Sequence, residues 1–369
     1  MWRKFSTKIL VFASLIVLFI MGFNFAIDPM IKYRKNESLR YLYTVDKERF
    51  LNFGIVKNFS YETVVTGTSM TENFLLSDVE KLLNTKAIKV PFSGGTAKEF
   101  SILLDFILKQ QKAETIIYAL DVFSYRNMNT SFGFPTDMPF ENYSFMLKDD
   151  LFSEIKYLLS LDTFKWSLFI LKNTINEDPN KNYNNSFMWF AEYKFGESEV
   201  LKDWSSMDVD PKKKEYFKPT DYLFDDLKRN FDELLYRHIV NNPEIKFIIF
   251  YPPYSYLTWK LADKRGSLDA CMKFKEYSLR KLVTQPNVEL YDFQINRLIY
   301  DLNNYKDISH YSHKINYFII EQIAKKENLL SPQNLDSHLA KLRAERERWR
   351  ASHSQDVAEI EALKTTKTK

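Results

Sequence analysis

Glu62-Thr63-Val64-Val65-Thr66-Gly67-Thr68-Ser69 is the stretch on which the fold turns. A short apolar, β-branched run that ends on a glycine reads as a buried strand. The serine then sits at the carboxyl end of that strand, ahead of residues 71–83, whose apolar spacing predicts a helix. The unit repeats. Ala87-Ile88-Lys89-Val90-Pro91-Phe92 reads as a second strand, followed by Ser93-Gly94-Gly95 and a helix over 96–110 with Phe100, Leu103, Leu104 and Leu108 on one side. Thr115-Ile116-Ile117-Tyr118-Ala119-Leu120-Asp121 is a third strand. Strand and helix alternating through short connections predict a three-layer α/β domain, a parallel sheet covered by helices.

The pattern resumes later, with a strand over 246–251 closed by Pro252-Pro253, a helix over 268–283, a strand over 288–292 and a last amphipathic helix over 315–325. Between them, residues 124–243 form an insertion with helical segments at 151–174 and 222–240. Such an insertion either caps a site at the sheet edge or adds a plain helical layer.

Upstream, residues 9–27 read ILVFASLIVLFIMGFNFAI, without a charge. Roughly 20 apolar residues span a bilayer as a helix. Arg3, Lys4 and Lys8 precede the stretch, and Lys32, Arg34, Lys35 and Arg40 follow it. The short amino tail favours a cytoplasmic N-terminus with the large domain translocated. A cleaved signal peptide is the competing reading, but the apolar run is long and ends in Phe25-Ala26-Ile27-Asp28-Pro29, without a small-x-small site. The expected plan is therefore a tail and membrane anchor over 1–29, a membrane-proximal connector over 30–60 and the α/β domain over 61–330. Residues 331–369, rich in Ala, Arg, Glu and Lys, read as a charged helix outside the fold, with Leu335, Leu339, Leu342 and Trp349 along one side.

Composition narrows the classes. Of 369 residues, 45% are hydrophobic and 27% charged, enough apolar material for a substantial core. With 52 basic against 48 acidic residues, the net charge of +4 gives no sign of nucleic-acid binding. The single cysteine, Cys271, excludes an intrachain disulfide framework and a cysteine zinc cluster. No spacing of metal ligands is evident, and no cofactor is expected.

Three local features carry the chemistry. Ser69, on a strand-to-helix turn, is presented at the sheet edge where α/β sites lie, and the helix start behind it offers backbone N–H groups to an oxyanion. The glycines of Ser93-Gly94-Gly95 let a backbone N–H point into the site with no Cβ in the way. Asp307-Ile308-Ser309-His310 places an acid three residues before a histidine, so that one ring nitrogen is fixed by the carboxylate and the other is left as a general base. Five histidines occur, at 238, 310, 313, 338 and 353, and only His310 has an acid at this spacing ahead of the last helix.

A serine after strand one, a glycine after strand two and D-x-x-H before the last helix is a layout that resembles the SGNH, or GDSL-type, hydrolases. The likeness spans roughly residues 62–325. It implies Ser69 as nucleophile, Gly94 or Gly95 as oxyanion donor, and Asp307 and His310 as acid and base. The family's third block carries an asparagine donor after strand three. Here Asp121 holds the nearest position, and an ionised carboxylate cannot donate. With the apolar N-terminus, the chain is similar to the anchored envelope branch of that superfamily, which includes the D-alanine transfer protein of teichoic acids and polysaccharide O-acetyltransferases.

That resemblance implies an extracytoplasmic, serine-dependent O-acyltransferase or esterase, single-pass in the cell membrane. It would act through an acyl-serine on an envelope polysaccharide or teichoic acid, beside a polytopic membrane acyltransferase. Two other readings stand beside it. One is a non-catalytic protein of the same fold that binds glycan or scaffolds the membrane enzyme. The other is an esterase acting on lipid acyl chains, with the aromatic-rich insertion lining its cleft.

Overall fold

The computed structural model describes residues 2–127, 140–176 and 183–351. Along the chain run α1 (Trp2–Ile27), α2 (Glu48–Asn58), β1 (Thr63–Thr66), α3 (Leu76–Leu83), β2 (Ala87–Lys89), α4 (Ala97–Lys109) and β3 (Thr115–Ala119). The insertion supplies α5 (Phe140–Tyr143), α6 (Leu151–Leu158), α7 (Leu161–Ile175), α8 (Glu197–Ser206), α9 (Phe224–Phe231) and α10 (Arg237–Asn241). There follow β4 (Lys246–Tyr251), α11 (Tyr256–Arg265), α12 (Leu268–Leu282), β5 (Val288–Asp292), α13 (His313–Lys325), β6 (Leu329–Leu330) and α14 (Leu335–Ala351). The chain divides into two compact units: residues 1–60 with 138–187, and residues 61–137 with 188–369.

The larger unit is α/β. Its six-stranded sheet has the order β2-β1-β3-β4-β5-β6, parallel throughout except for β6, which pairs antiparallel with β5. Every residue of β1 is buried, as expected for a parallel strand with helices on both faces. Helix α4 starts on a capping box, Thr96 with Glu99, which satisfies two of the N–H groups a helix start leaves open. At the order β2-β1-β3 the chain winds first to one side of β1 and then to the other. A crevice opens there at the carboxyl ends of the strands, where α/β folds bind ligands. Gly67 ends β1 at φ +154°, and a Cβ on it would lie 2.6 Å from the Cβ of Ala119, so β1 and β3 close up only around a glycine.

The smaller unit is helical. Helix α1 carries an apolar stretch, Phe5–Ile27, long and apolar enough to span a bilayer. Its Asn24 is fully buried against α6 and α7, where Ser167 in the middle of α7 donates to its carbonyl oxygen at 2.9 Å and its amide donates to Leu158 O at the end of α6 at 2.8 Å.

Several sequence expectations change. Residues 30–60 are not a simple connector: α2 buries Leu51, Phe53, Ile55 and Val56 within the smaller unit. The insertion is not one cap, because its residues 138–187 join the N-terminal segment while 188–243 belong to the α/β unit. The helix expected over 151–174 is two helices, the second begun by Ser160, whose hydroxyl accepts from Thr163 N–H. The helix expected from 71 begins at Leu76, after a 3₁₀ turn over Ser69–Thr71. The charged segment does not lie outside the fold. In α14, Leu335, Leu339, Leu342 and Trp349 are buried, and Trp349 stacks on Trp259 with ring centroids 5.6 Å apart. Residues 352–369 of that segment, and 128–139 and 177–182 of the insertion, lie outside the described residues.

Candidate active site

Ser69 is the first residue of the 3₁₀ turn that follows β1 and Gly67. Thr68 sets the turn: its hydroxyl accepts from Met70 N–H and donates to Asp121 Oδ2 at 2.8 Å. Asp307 and His310 come from a loop clamped at both ends, with Tyr305 bridging Tyr311 and Ser312 N–H donating to Asn304 O at 2.8 Å. Inside it, Ile308 O accepts from the hydroxyls of Ser255 and Thr258, which tie the turn to the start of α11. The Tyr311 hydroxyl and the Asn316 amide both donate to Met70 O, at 3.1 and 2.9 Å. The histidine loop and the serine turn, some 240 positions apart in sequence, thus share one carbonyl.

The result is a relay. Ser69 Oγ lies 2.9 Å from His310 Nε2, and His310 Nδ1 lies 2.8 Å from Asp307 Oδ2. Asp307 Oδ1 also accepts from the backbone N–H groups of Ser309, at 2.8 Å, and His310, at 2.7 Å. Lys306 Nζ stands 3.3 Å from Oδ2. Burial raises the pKa of Asp307, but the imidazole, its hydrogen bonds and Lys306 outweigh burial and hold the carboxyl well below the usual range. The ionised acid fixes the ring with Nδ1 protonated, which leaves Nε2 free to take the Ser69 proton.

Residues with no local sequence signal complete the site. Trp189 stands edge-on to the His310 ring at 5.6 Å, and Lys306 lies over Trp189 and Tyr193. Asn73 holds that segment, its carbonyl oxygen accepting from Trp189 N–H and Phe190 N–H. Beside Ser69 opens a pocket of about 220 Å³ lined by Met70, Phe123, Tyr216, Phe217, Tyr222 and Tyr254, with Arg126 and Asp121 also on its wall.

The predicted donors are sorted by the turn. Gly95 N–H is spent on Phe92 O at 2.8 Å, and a Cβ on Gly95 would lie 2.7 Å from the Phe100 ring. Gly95 is therefore a packing glycine, not an oxyanion donor. Gly94 sits at φ +60° on the pocket wall, and among the described residues neither its N–H nor that of Ser69 is committed to a hydrogen bond. Asp121 lines the pocket but is no donor either. It accepts from Thr68 Oγ1 and from Phe123 N–H, and so braces the turn that presents Ser69. Burial pushes its carboxyl up, partly offset by Tyr254, Thr68 and Phe123. Among the described residues no group of three or more His, Cys, Asp or Glu is placed to hold a metal ion. No protein-family model matches the chain, and no curated protein matches it.

Proposed function

We propose that the protein is a serine-dependent O-acyltransferase or esterase of the SGNH type, held at the membrane by α1 with its α/β unit outside the cell, and that it acts on a hydroxyl-bearing envelope polymer. The relay of Asp307, His310 and Ser69, open to an apolar pocket beside two uncommitted backbone N–H groups, carries this reading. His310 Nε2 takes the proton as Ser69 Oγ attacks the donor's acyl carbon. The N–H groups of Ser69 and Gly94 receive the oxyanion. The bond from acyl carbon to donor oxygen breaks, and the leaving oxygen takes the proton from Nε2. An acceptor hydroxyl, or water, then gives its proton to Nε2, attacks the acyl-serine and releases Ser69 Oγ, which recovers the proton.

The pocket favours a short, uncharged acyl group. At about 220 Å³ its walls are mostly apolar, with five Phe and Tyr rings, its one carboxylate, Asp121, is engaged by Thr68 and Phe123, and Arg126 adds a positive charge. A D-alanyl ammonium would meet the positive Arg126 on a wall whose one carboxylate already braces the Ser69 turn, whereas an uncharged acetyl group fits. The test is fluorophosphonate labelling of the full-length protein, with Ser69→Ala and His310→Ala beside it, and turnover of acetyl, aminoacyl and long-chain esters. Labelling at Ser69 lost in both variants, with acetyl preferred, supports the reading. A folded protein that never labels would make it a binding partner of a membrane enzyme, and a preference for long chains would make it a lipid esterase.

A further inference from the structure

Outside α1, the described residues expose twelve large apolar side chains, and seven of them sit on α6 and α7. Patches of that kind on a soluble surface mark a contact with something apolar. On α6 they are Leu151, Phe152 and Ile155, with Phe152 85% exposed. On α7, Leu161, Leu168 and Ile175 recur every seven residues and form one outward row. Lys165 and Lys172, each four residues after a member of that row, lie alongside it. An apolar row flanked by lysines is the pattern of a helix lying in a membrane interface, where long basic stems reach back to phosphates.

The depth is set by α1. The Asn24 amide donates to Leu158 O at 2.8 Å, and its carbonyl oxygen accepts from Ser167 at 2.9 Å. The ring of Phe23 meets that of Phe164 at 5.3 Å. Asn24 lies three residues inside the end of the apolar span at Ile27, about 4.5 Å at the helical rise. The turn between α6 and α7 is therefore held below the rim of the stretch that would span the bilayer. It also removes the one amide of that stretch from lipid, where an unpaired polar group is costly.

We infer that α6 and α7 form a hairpin embedded in the lipid leaflet at the C-terminal end of α1, a second membrane contact whose occupant is phospholipid. This rests on α1 being a membrane anchor. The hairpin would fix the tilt and rotation of α1 and seat the smaller unit on the surface.

The test is photo-crosslinking of the full-length protein in vesicles of phosphatidylcholine and phosphatidylglycerol. A benzophenone amino acid replaces, one at a time, Phe152, Leu161 and Leu168, with Phe12 in α1 as the positive control and exposed Glu37 as the negative one. Lipid adducts at 152, 161 and 168 comparable to those at 12, and at least about tenfold above those at 37, are expected. Adducts at 12 with none on the hairpin would overturn the inference and leave the anchor intact. No adduct at 12 would overturn the anchor reading itself, and with it this one. Adducts joining two copies of the chain through 152 or 168 would make the face a dimer contact and overturn the inference as well.

Discussion

Asp307→Asn tests the relay at the point where its geometry is most constrained. Asp307 Oδ1 accepts from two backbone N–H groups, at 2.8 and 2.7 Å, and an amide oxygen at that position keeps both. The amide nitrogen must then occupy the position of Oδ2, which faces His310 Nδ1 at 2.8 Å and Lys306 Nζ at 3.3 Å. A donor there favours the tautomer with Nδ1 bare and Nε2 protonated over the longer contact that Nδ1–H keeps to Oδ1 at 3.0 Å, so that an N–H points at Ser69 Oγ and cannot take its proton. Loss of the base by tautomer reversal is worth about 10³–10⁴ in rate, roughly 4–5.5 kcal/mol at 1.36 kcal/mol per decade. The fold should hold, because the two backbone bonds that close the turn survive and the lost charge-assisted bonds cost about 1.5–3 kcal/mol each at most. The assay is the second-order rate of fluorophosphonate labelling at Ser69, with thermal unfolding followed in parallel. A variant that stays folded and labels within a few-fold of the parent would refute the assignment of Asp307 as the group that sets the His310 tautomer.

Four further outcomes follow from particular contacts. Gly95→Ala drives a Cβ to 2.7 Å from the Phe100 ring and 2.8 Å from Phe92 Cβ, so stability should fall by about 1–3 kcal/mol in chemical denaturation, and an unchanged midpoint would mean the turn gives way freely. Trp349→Ala removes a buried indole stacked on Trp259 and should cost about 3–5 kcal/mol; a loss under about 1 kcal/mol would show that α14 is not part of the core. Asp292→Asn leaves the buried Lys275 amine without its ion partner, which costs about 3–5 kcal/mol near neutral pH. Burial opposes ionisation of Asp292, but Lys275 and His338 win and depress its pKa, so its contribution exists above the unfolded value of about 4 and fades as pH falls; the gap between parent and variant should narrow on acidification, and a widening gap would reverse the sign of the argument. Phe217→Ala opens the pocket beside Ser69 and should raise the hexanoyl-to-acetyl ratio of kcat/KM by about tenfold or more, whereas an unchanged ratio would place the acyl group elsewhere.

What the sequence disclosed and what it hid follow from the range over which each feature is encoded. Ser69 after a β-branched run and a glycine, and Asp307 three residues before His310, are legible because the geometry is local: a strand end and a turn present those side chains in any context. Which glycine keeps its N–H free is not legible, since it depends on Gly95 N–H reaching back to Phe92 O. Trp189, Tyr216, Phe217 and Tyr222 carry no pattern, because their segment is irregular and they join the site only through tertiary anchors such as Asn73. The smaller unit is hidden for the same reason. It is assembled from two segments, and the bond that closes it, Ser167 to Asn24, spans 143 positions. The segment after 331 misleads by composition: Arg and Glu dominate the count, while four well-spaced apolar residues decide where the helix goes.

A second serine–histidine pair in the α/β unit shows what sets the first apart as the candidate site. Ser101 Oγ lies 2.9 Å from His238 Nε2, as in the relay at Ser69, but Asp105 Oδ1 lies 3.6 Å from His238 Nδ1, too far for the hydrogen bond that Asp307 makes at 2.8 Å. The surroundings differ in every way that chemistry needs. Ser101 lies inside α4, so its N–H belongs to the helix ladder and cannot receive an oxyanion. Both side chains are buried, and the pocket beside Ser69 does not reach them. Asp105 is mostly exposed and shared with Arg237, so its pull on the ring is weak, and burial outweighs it and pushes the His238 pKa down. Ser69 has what Ser101 lacks: a turn that frees its N–H, a buttressed acid behind its histidine and a cavity in front of its oxygen. Distances of 2.9 Å are common to both pairs. The position of Ser69 at the carboxyl edge of the sheet, where β1 parts the chain to either side, separates the proposed nucleophile from a packing contact.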